Sequence, residues 1–270
     1  MLGQELERLE ERRLYVCRLT PDRALETLDE AEAFLHERGM LTLMPDSSLP
    51  SLFGACHEEP YKPGGRGFAT WPRTKYPWGV ELGRRPGVYR LAVHRGKGLF
   101  VTESVARVVD PLAREALARA GAGELGEDAS RLVEHLAAAG PSLLEELTEE
   151  VALDRRALKA ARGRLERLGA VVAQSVVLED PHRHTSELRR WDHLFPEPAG
   201  PAGGLAELLV RGVRAAVVAP ERELATWFSW RPTPALIEEL VAAGRLRRPA
   251  ADVVTAAETA SEPGQARPGP

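Results

Sequence analysis

Aromatic residues make up only 6% of this 270-residue sequence, and it holds just two cysteines. Cys17 and Cys56 form no Cys-x-x-Cys pair, which excludes a secreted disulfide framework. No apolar run approaches the roughly 18 residues that a membrane-spanning helix needs. Met1 to Leu14 is charged and helical in pattern, not an apolar targeting segment, so the cytoplasm is the expected compartment. Catalytic signatures are missing too: there is no Gly-x-Ser-x-Gly, no Walker loop and no Rossmann glycine string after a strand. Lys62-Pro63-Gly64-Gly65-Arg66-Gly67 is rich in glycine but lacks the strand-loop-helix setting. Positive charge is not in excess either, with 36 basic against 40 acidic residues and a net charge of -4. That balance excludes a generally basic nucleic-acid coat. Contact with phosphate must come from local patches, because the field of the whole molecule mildly repels it.

What is present is an apolar fraction of 43%, enough for real cores, in a chain whose length suits two or three compact units. Ala, Leu, Arg and Glu dominate, which favours helices on propensity. Residues 1–14 read as a charged helix. Thr20-Pro21 reads as the N-cap and first position of a second helix, with Leu25, Leu28, Ala31 and Leu35 at helical spacing and Gly39 as its C-terminal cap. Met40 to Met44 is a short extended run, and residues 49–53 suit one tight helical turn. Residues 57–87 carry five prolines and read as a long irregular segment. A hairpin follows, Val88 to His94 and Leu99 to Thr102 around Arg95-Gly96-Lys97-Gly98, and then a helix over residues 103–120.

Gly121 to Gly126 marks a boundary. Beyond it come helices at about 128–139, 142–151 and 154–168, then strands at 170–173 and 175–178. Three helices followed by a β-ribbon describe a winged helix, and Val151-Ala152-Leu153-Asp154 has the length of a helix-turn-helix turn. After a Pro/Gly/Ala linker at 197–204 the pattern recurs: helices at 205–218, 221–228 and 234–243, then a ribbon at 245–255. The expected organisation is therefore α+β. An N-terminal helical and hairpin domain (1–121) precedes two tandem winged-helix modules (128–196 and 203–255). A small, polar, Pro-rich tail (256–270) is expected to contribute nothing to folding.

The densest local charge lies on the helix from Asp154 to Leu168. Leu158, Ala161, Leu165 and Leu168 share one face, and Arg156, Lys159 and Gly163 lie almost opposite. Arg155, Arg156, Lys159, Arg162, Arg164 and Arg167 face only Asp154 and Glu166. Such a face reads phosphates or base edges, or is simply solvated. Glu145, Glu146, Glu149 and Glu150 on the preceding helix oppose docking on DNA unless they point away; otherwise the module suits a protein partner. The segment Glu179 to Arg190 forms the wing, in which Arg183, Arg189 and Arg190 are candidates for a minor groove. His182-x-His184 with His193 is either a metal pair or a solvated tip, and no nearby cysteine completes a site, so no metal is expected. In the irregular segment Trp71, Arg73, Lys75 and Trp78 suit base stacking and phosphate contact, or the tryptophans are core plugs. Glu58-Glu59 offers a carboxylate for general-base work or is solvated.

Several segments together resemble one family. Leu132 to Leu136 runs into Gly140-Pro141-Ser142 and Leu143 to Leu147. Then come Leu165 to Val172, Leu188 to Pro196, Trp227 to Trp230 and Leu240 to Gly244. With Leu49-Pro50-Ser51, Pro77-Trp78 and the 88–102 hairpin, this order is similar to the AlkZ/YcaQ-like tandem winged-helix proteins, especially their smaller AlkZ-related members. The resemblance implies binding of double-stranded DNA, repair of damaged bases, and no cofactor. The glycosylases of that family carry Gln-x-Gln or Gln-x-Asp. The three glutamines here, Gln4, Gln174 and Gln265, match neither, so a base-releasing activity would need another acid. The rival readings are such an enzyme and a transcription regulator or protein-interaction module.

Overall fold

The computed structural model describes residues 2–178, 183–200 and 203–257. It mixes helices with three small antiparallel sheets, and among the described residues no helix is long and apolar enough to cross a membrane. Helix α1 (Leu2–Val16) leads to a short 3-10 turn at Pro21–Arg23 and then to α2 (Leu28–Arg38). The expected start at Thr20-Pro21 yields only that turn. The helix begins after Thr27, whose side chain accepts the Glu30 amide, with Asp29 and Glu30 set against its N-terminal dipole. Gly39 ends α2 in the left-handed conformation, as its sequence position suggests.

Strands β1 (Met40–Thr42), β2 (Val88–His94) and β3 (Lys97–Thr102) form the first sheet in the order β1-β3-β2. Arg95 and Gly96 turn the hairpin, both with positive φ (54° and 76°), the geometry of a tight two-residue turn. Between β1 and β2 lie only 3-10 turns and the four-residue α3 (Trp78–Glu81). The long α4 (Glu103–Gly121) follows.

The middle unit is α5 (Glu127–Ala139), β4 (Ser142–Leu143), α6 (Leu147–Glu150), α7 (Arg155–Arg167), β5 (Val171–Leu178) and β6 (Arg183–Arg190), with sheet order β4-β6-β5. Three expectations are corrected here. Residues 142–143 are strand rather than helix, because they pair with Leu188 and Glu187 of β6. The helix expected over 142–151 therefore shrinks to four residues. The two short strands expected at 170–178 are one, and the wing's descending arm is itself a strand. After α8 (Trp191–Leu194), the third unit comprises α9 (Leu205–Ala216), β7 (Val218–Pro220), α10 (Glu221–Trp227), α11 (Pro234–Ala242), β8 (Leu246–Ala250) and β9 (Val253–Ala256), in sheet order β7-β9-β8. All three sheets place the last strand between the other two. Of the tail expected over 256–270, Ala256 instead closes β9 and Ala257 donates its amide to the Arg245 carbonyl, while 258–270 lie outside the described residues.

The first sheet is buried on both faces. Leu41 and Phe100 join Phe34, Leu35 and Leu52 on one side, while Met40, Leu99 and Val101 join the third unit's core on the other. That double burial is why Leu99-Phe100-Val101 is continuously apolar. Helix α4 serves two cores as well: Val105, Val109 and Ala113 face α9, and Ala116, Leu117 and Ala120 face the middle unit. Asp110 on α4 is buried at 1% exposure. It accepts from Arg114 (2.9 Å), the Trp191 indole (2.7 Å) and the Ala199 amide (2.9 Å), tying α8 and the linker to this helix.

Candidate nucleic-acid interface

Helix α7 begins at Asp154, whose carboxylate accepts the Ala157 and Arg156 amides at 2.8 and 2.7 Å. These two amides hold its carboxyl below the ordinary carboxylate range. Leu158, Ala161 and Leu165 bury one face against α5 and β5, which turns the cations outward. Arg155, Arg156 and Lys159 are exposed and form no hydrogen bond or ion pair through their side chains among the described residues. Arg162 is half-buried and paired with Glu166 at 3.0 Å. Arg164 donates to the Leu125 carbonyl. Arg167 is exposed, and its stem lies against Gly96, where a Cβ would sit 3.2 Å from Arg167 Cδ. Arg156, Lys159, Gly163 and Arg167, spaced by three, four and four residues, form one solvent-facing stripe along the helix.

The acids of the preceding segment do not all point away. Glu145 and Glu149 line a 490 Å³ groove together with Arg155, Lys159 and Arg162. Glu150 is held by His135 at 3.0 Å. The side of α7 that carries Arg155, Lys159 and Arg162 thus presents mixed charge.

The wing residues are placed differently from the expectation. Arg189 and Arg190 belong to the body of β6, not to a tip. Arg189 is paired with Glu187, and Arg190 grips Asp192 (2.7 Å) and the Val133 carbonyl (3.1 Å). Strand pairing puts Arg183 opposite Leu178, but its side chain, like residues 179–182 with His182, lies outside the described residues. Among the described residues no grouping of His, Cys, Asp or Glu has the form of a metal site.

In the irregular segment Trp71 and Trp78 pack half-buried against the first core. Trp71 lies 5.3 Å from Phe53 and 5.1 Å from Phe68. Lys75 sits over Trp78 and is spent on the Leu25 carbonyl and Glu26. Arg73 is exposed. The exposed aromatics are instead Tyr61, Phe68 and Tyr76, packed on one another. Burial alone would raise the Glu58 carboxyl, but hydrogen bonds from Thr74 and from the Lys75 amide outweigh it and hold the group low. This carboxylate fastens its loop. Burial pushes the Cys56 thiol up to about 12, so it is no nucleophile.

The arginines of the last ribbon are all paired: Arg245 with Glu207, Arg247 with Glu5, and Arg248 with Glu221 and Glu238. Two arginines that the sequence did not single out, Arg95 and Arg231, meet Arg164 and Arg167 at the far end of α7. Their only local signals were a hairpin turn and a Trp-Arg-Pro break. No family model, curated protein or solved structure matches this chain.

Proposed function

We propose that this chain is a double-stranded DNA-binding protein whose repeated units are winged helices, with α7 as the reading helix of the middle one. Each of the last two units runs helix, strand, helix, helix, strand, strand, and α7 stands where a winged helix places its recognition helix. The first unit shares the sheet order, which extends the reading to three units. The observation that carries the proposal is the contrast in pairing. Arg189 and Arg190 of β6 and Arg245, Arg247 and Arg248 of the last ribbon are each paired with a carboxylate, whereas Arg155, Arg156, Lys159 and Arg167 are exposed along one helix and form no ion pair among the described residues. Unpaired Lys and Arg in a row suit a phosphate backbone. The link to damaged-base repair rests on the family resemblance.

A second reading, a protein partner at the α6–α7 groove, is favoured by Glu145 and Glu149 facing Arg155 and Lys159. Alternating charge of this kind suits an oppositely patterned peptide better than a uniform phosphate rail. Electrophoretic shifts with intact, mismatched and alkylated duplexes separate the two. The DNA reading expects binding to all three that weakens steeply with salt, and tighter binding to the alkylated duplex. No shift at low salt with any duplex would leave the protein-partner reading.

A further inference from the structure

Helix α7 ends beside a second cavity of about 440 Å³. Arg164 and Arg167 enter it from the middle unit, Arg95 from the hairpin turn of the first, and Arg231 from the α10–α11 connection of the third. No carboxylate lines it. Among the described residues, none of the four arginines forms an ion pair, and all four are exposed.

Three of the four are nevertheless held in place by neutral groups. Arg95 donates to the Thr226 carbonyl (2.7 Å), the Thr226 hydroxyl (2.8 Å) and the Asp46 carbonyl (3.2 Å). Arg164 donates to the Leu125 carbonyl, and the Arg167 stem packs on Gly96. Carbonyls and a hydroxyl orient the guanidinium without an ion pair, although Arg95 also helps to hold the nearby Glu223 carboxyl low. Like charges gathered around one cavity repel each other, so the arrangement raises the energy of the empty protein. It is compensated when a multiply charged anion enters.

We propose that this cavity is a phosphate-group site. A phosphate monoester carries close to two negative charges at neutral pH and presents three acceptor oxygens. Arginine forks match those oxygens in pairs. A carboxylate, planar and singly charged, would leave most of the four donors unused. The cavity is also larger than a bare phosphate needs and falls in the range of small-ligand sites. Leu168, Ala225 and Phe228 line it beside the arginines, giving the organic part of a phosphate ester an apolar surface. The phosphate is that of a free ester such as a nucleotide, or one belonging to a nucleic-acid strand. The site shares Arg167 with the stripe on α7 but not Arg155, Arg156 or Lys159, which also carry the duplex reading.

The test uses the full chain with inorganic phosphate, deoxyadenosine monophosphate and a short unmodified duplex as probes. Three variants are compared: R167Q/R231Q, R167K/R231K and R156A/K159A. Binding is followed by calorimetry and by the shift in melting temperature. The proposal expects at least one phosphate-bearing probe to bind the parent, with a loss on the order of tenfold for each arginine made neutral. R156A/K159A should leave binding of the monophosphate unchanged. The lysine variant, which keeps charge but loses the fork, should fall between parent and R167Q/R231Q. Without ligand, R167Q/R231Q should melt at or above the parent at low salt, because repulsion has been removed. Binding of the free monophosphate assigns the site to small esters, and binding of the duplex alone, lost in R167Q/R231Q, assigns it to a strand. If no probe binds the parent, or R167Q/R231Q binds every probe as the parent does, the cavity is not a phosphate site. Loss of duplex binding in R156A/K159A, with R167Q/R231Q binding duplex and monophosphate as the parent does, would overturn this proposal while leaving the duplex reading intact.

Discussion

Asp110→Asn is the smallest change that should loosen the junction between the units. The asparagine has the same shape but no charge, and one of its two terminal atoms becomes a donor. Around Asp110, Oδ1 accepts from Arg114 Nε and the Trp191 indole at 2.9 and 2.7 Å, and Oδ2 accepts from Arg114 Nε and the Ala199 amide at 3.0 and 2.9 Å. Whichever way the new amide turns, its NH2 faces one of these donors and leaves it unsatisfied. An unsatisfied buried donor costs about 1–3 kcal/mol. Arg114 also loses its counter-charge while only 26% of its side chain is exposed. Breaking a buried pair by removing one partner costs about 3–5 kcal/mol, and that range includes the stranded donor. At roughly 2–4 °C per kcal/mol for a chain of this size, the melting temperature should fall by about 6–20 °C. Calorimetry on the full chain, with Trp191→Phe as a control that removes one donor and no charge, measures both. Asp110→Asn within about 1 kcal/mol of the parent would refute the reasoning, since the carboxylate would then not be the tie between α4, α8 and the linker.

The duplex reading predicts that R156A/K159A weakens DNA binding and flattens the log-log salt slope by about two, roughly 0.9 per lost phosphate contact; unchanged binding at every salt concentration would remove α7 as the reading helix. Gly212→Ala should destabilise the third unit although alanine is the better helix former: the new Cβ would lie 2.9 Å from Trp227 Cζ3, and overpacking of a fully buried ring costs about 1–3 kcal/mol against a propensity gain near 1. A rise in melting temperature would show that Trp227 can move aside. Asp154 has a folded pKa below its unfolded one, so its contribution is present above the ordinary value of 3.8 and is lost as pH falls through the folded value. Asp154→Asn caps without titrating, and the difference in stability between it and the parent should vanish in acid; a constant difference down to the lowest pH would refute the linkage.

Much of the last two units is legible in the sequence because their signals are local. The apolar spacing of Leu158, Ala161 and Leu165, and the caps Asp154 and Thr233, all act within one or two helical turns, and the helices form where they place them. Strand β4 is two residues long and exists only because β6, more than forty positions later, pairs with it. No period of two can show in two residues. The kinship of the first sheet with the other two was hidden in the same way. Where those units have two helices between their first and second strands, this one has a proline-rich segment, 3-10 turns and one four-residue helix, without any 3.6-residue period. At α2, the Thr20-Pro21 signal produces only a 3-10 turn, and the helix begins seven residues later. Thr27 starts the helix because Asp29 and Glu30 follow it within one turn.

The candidate sites follow the same division. The stripe on α7 is a property of one helix and could be read from spacing. Which arginines remain free is not a local property. Arg245, Arg247 and Arg248 look as free in the chain as Arg155 and Arg156, yet the fold supplies Glu207, Glu5 and Glu221 to the first set and, among the described residues, no ion pair to the second. The four-arginine cavity is further out of reach, since it draws on three units and on residues as far apart as Arg95 and Arg231. A chain with net charge -4 can hold such a cavity only if its many acids are committed elsewhere, and the ion pairs of the last ribbon and of α9 show where several of them go. A tally of charges therefore says little about partners in a protein of this kind. The informative quantity is where unpaired cations gather, and one such gathering is α7 with the cavity at its end.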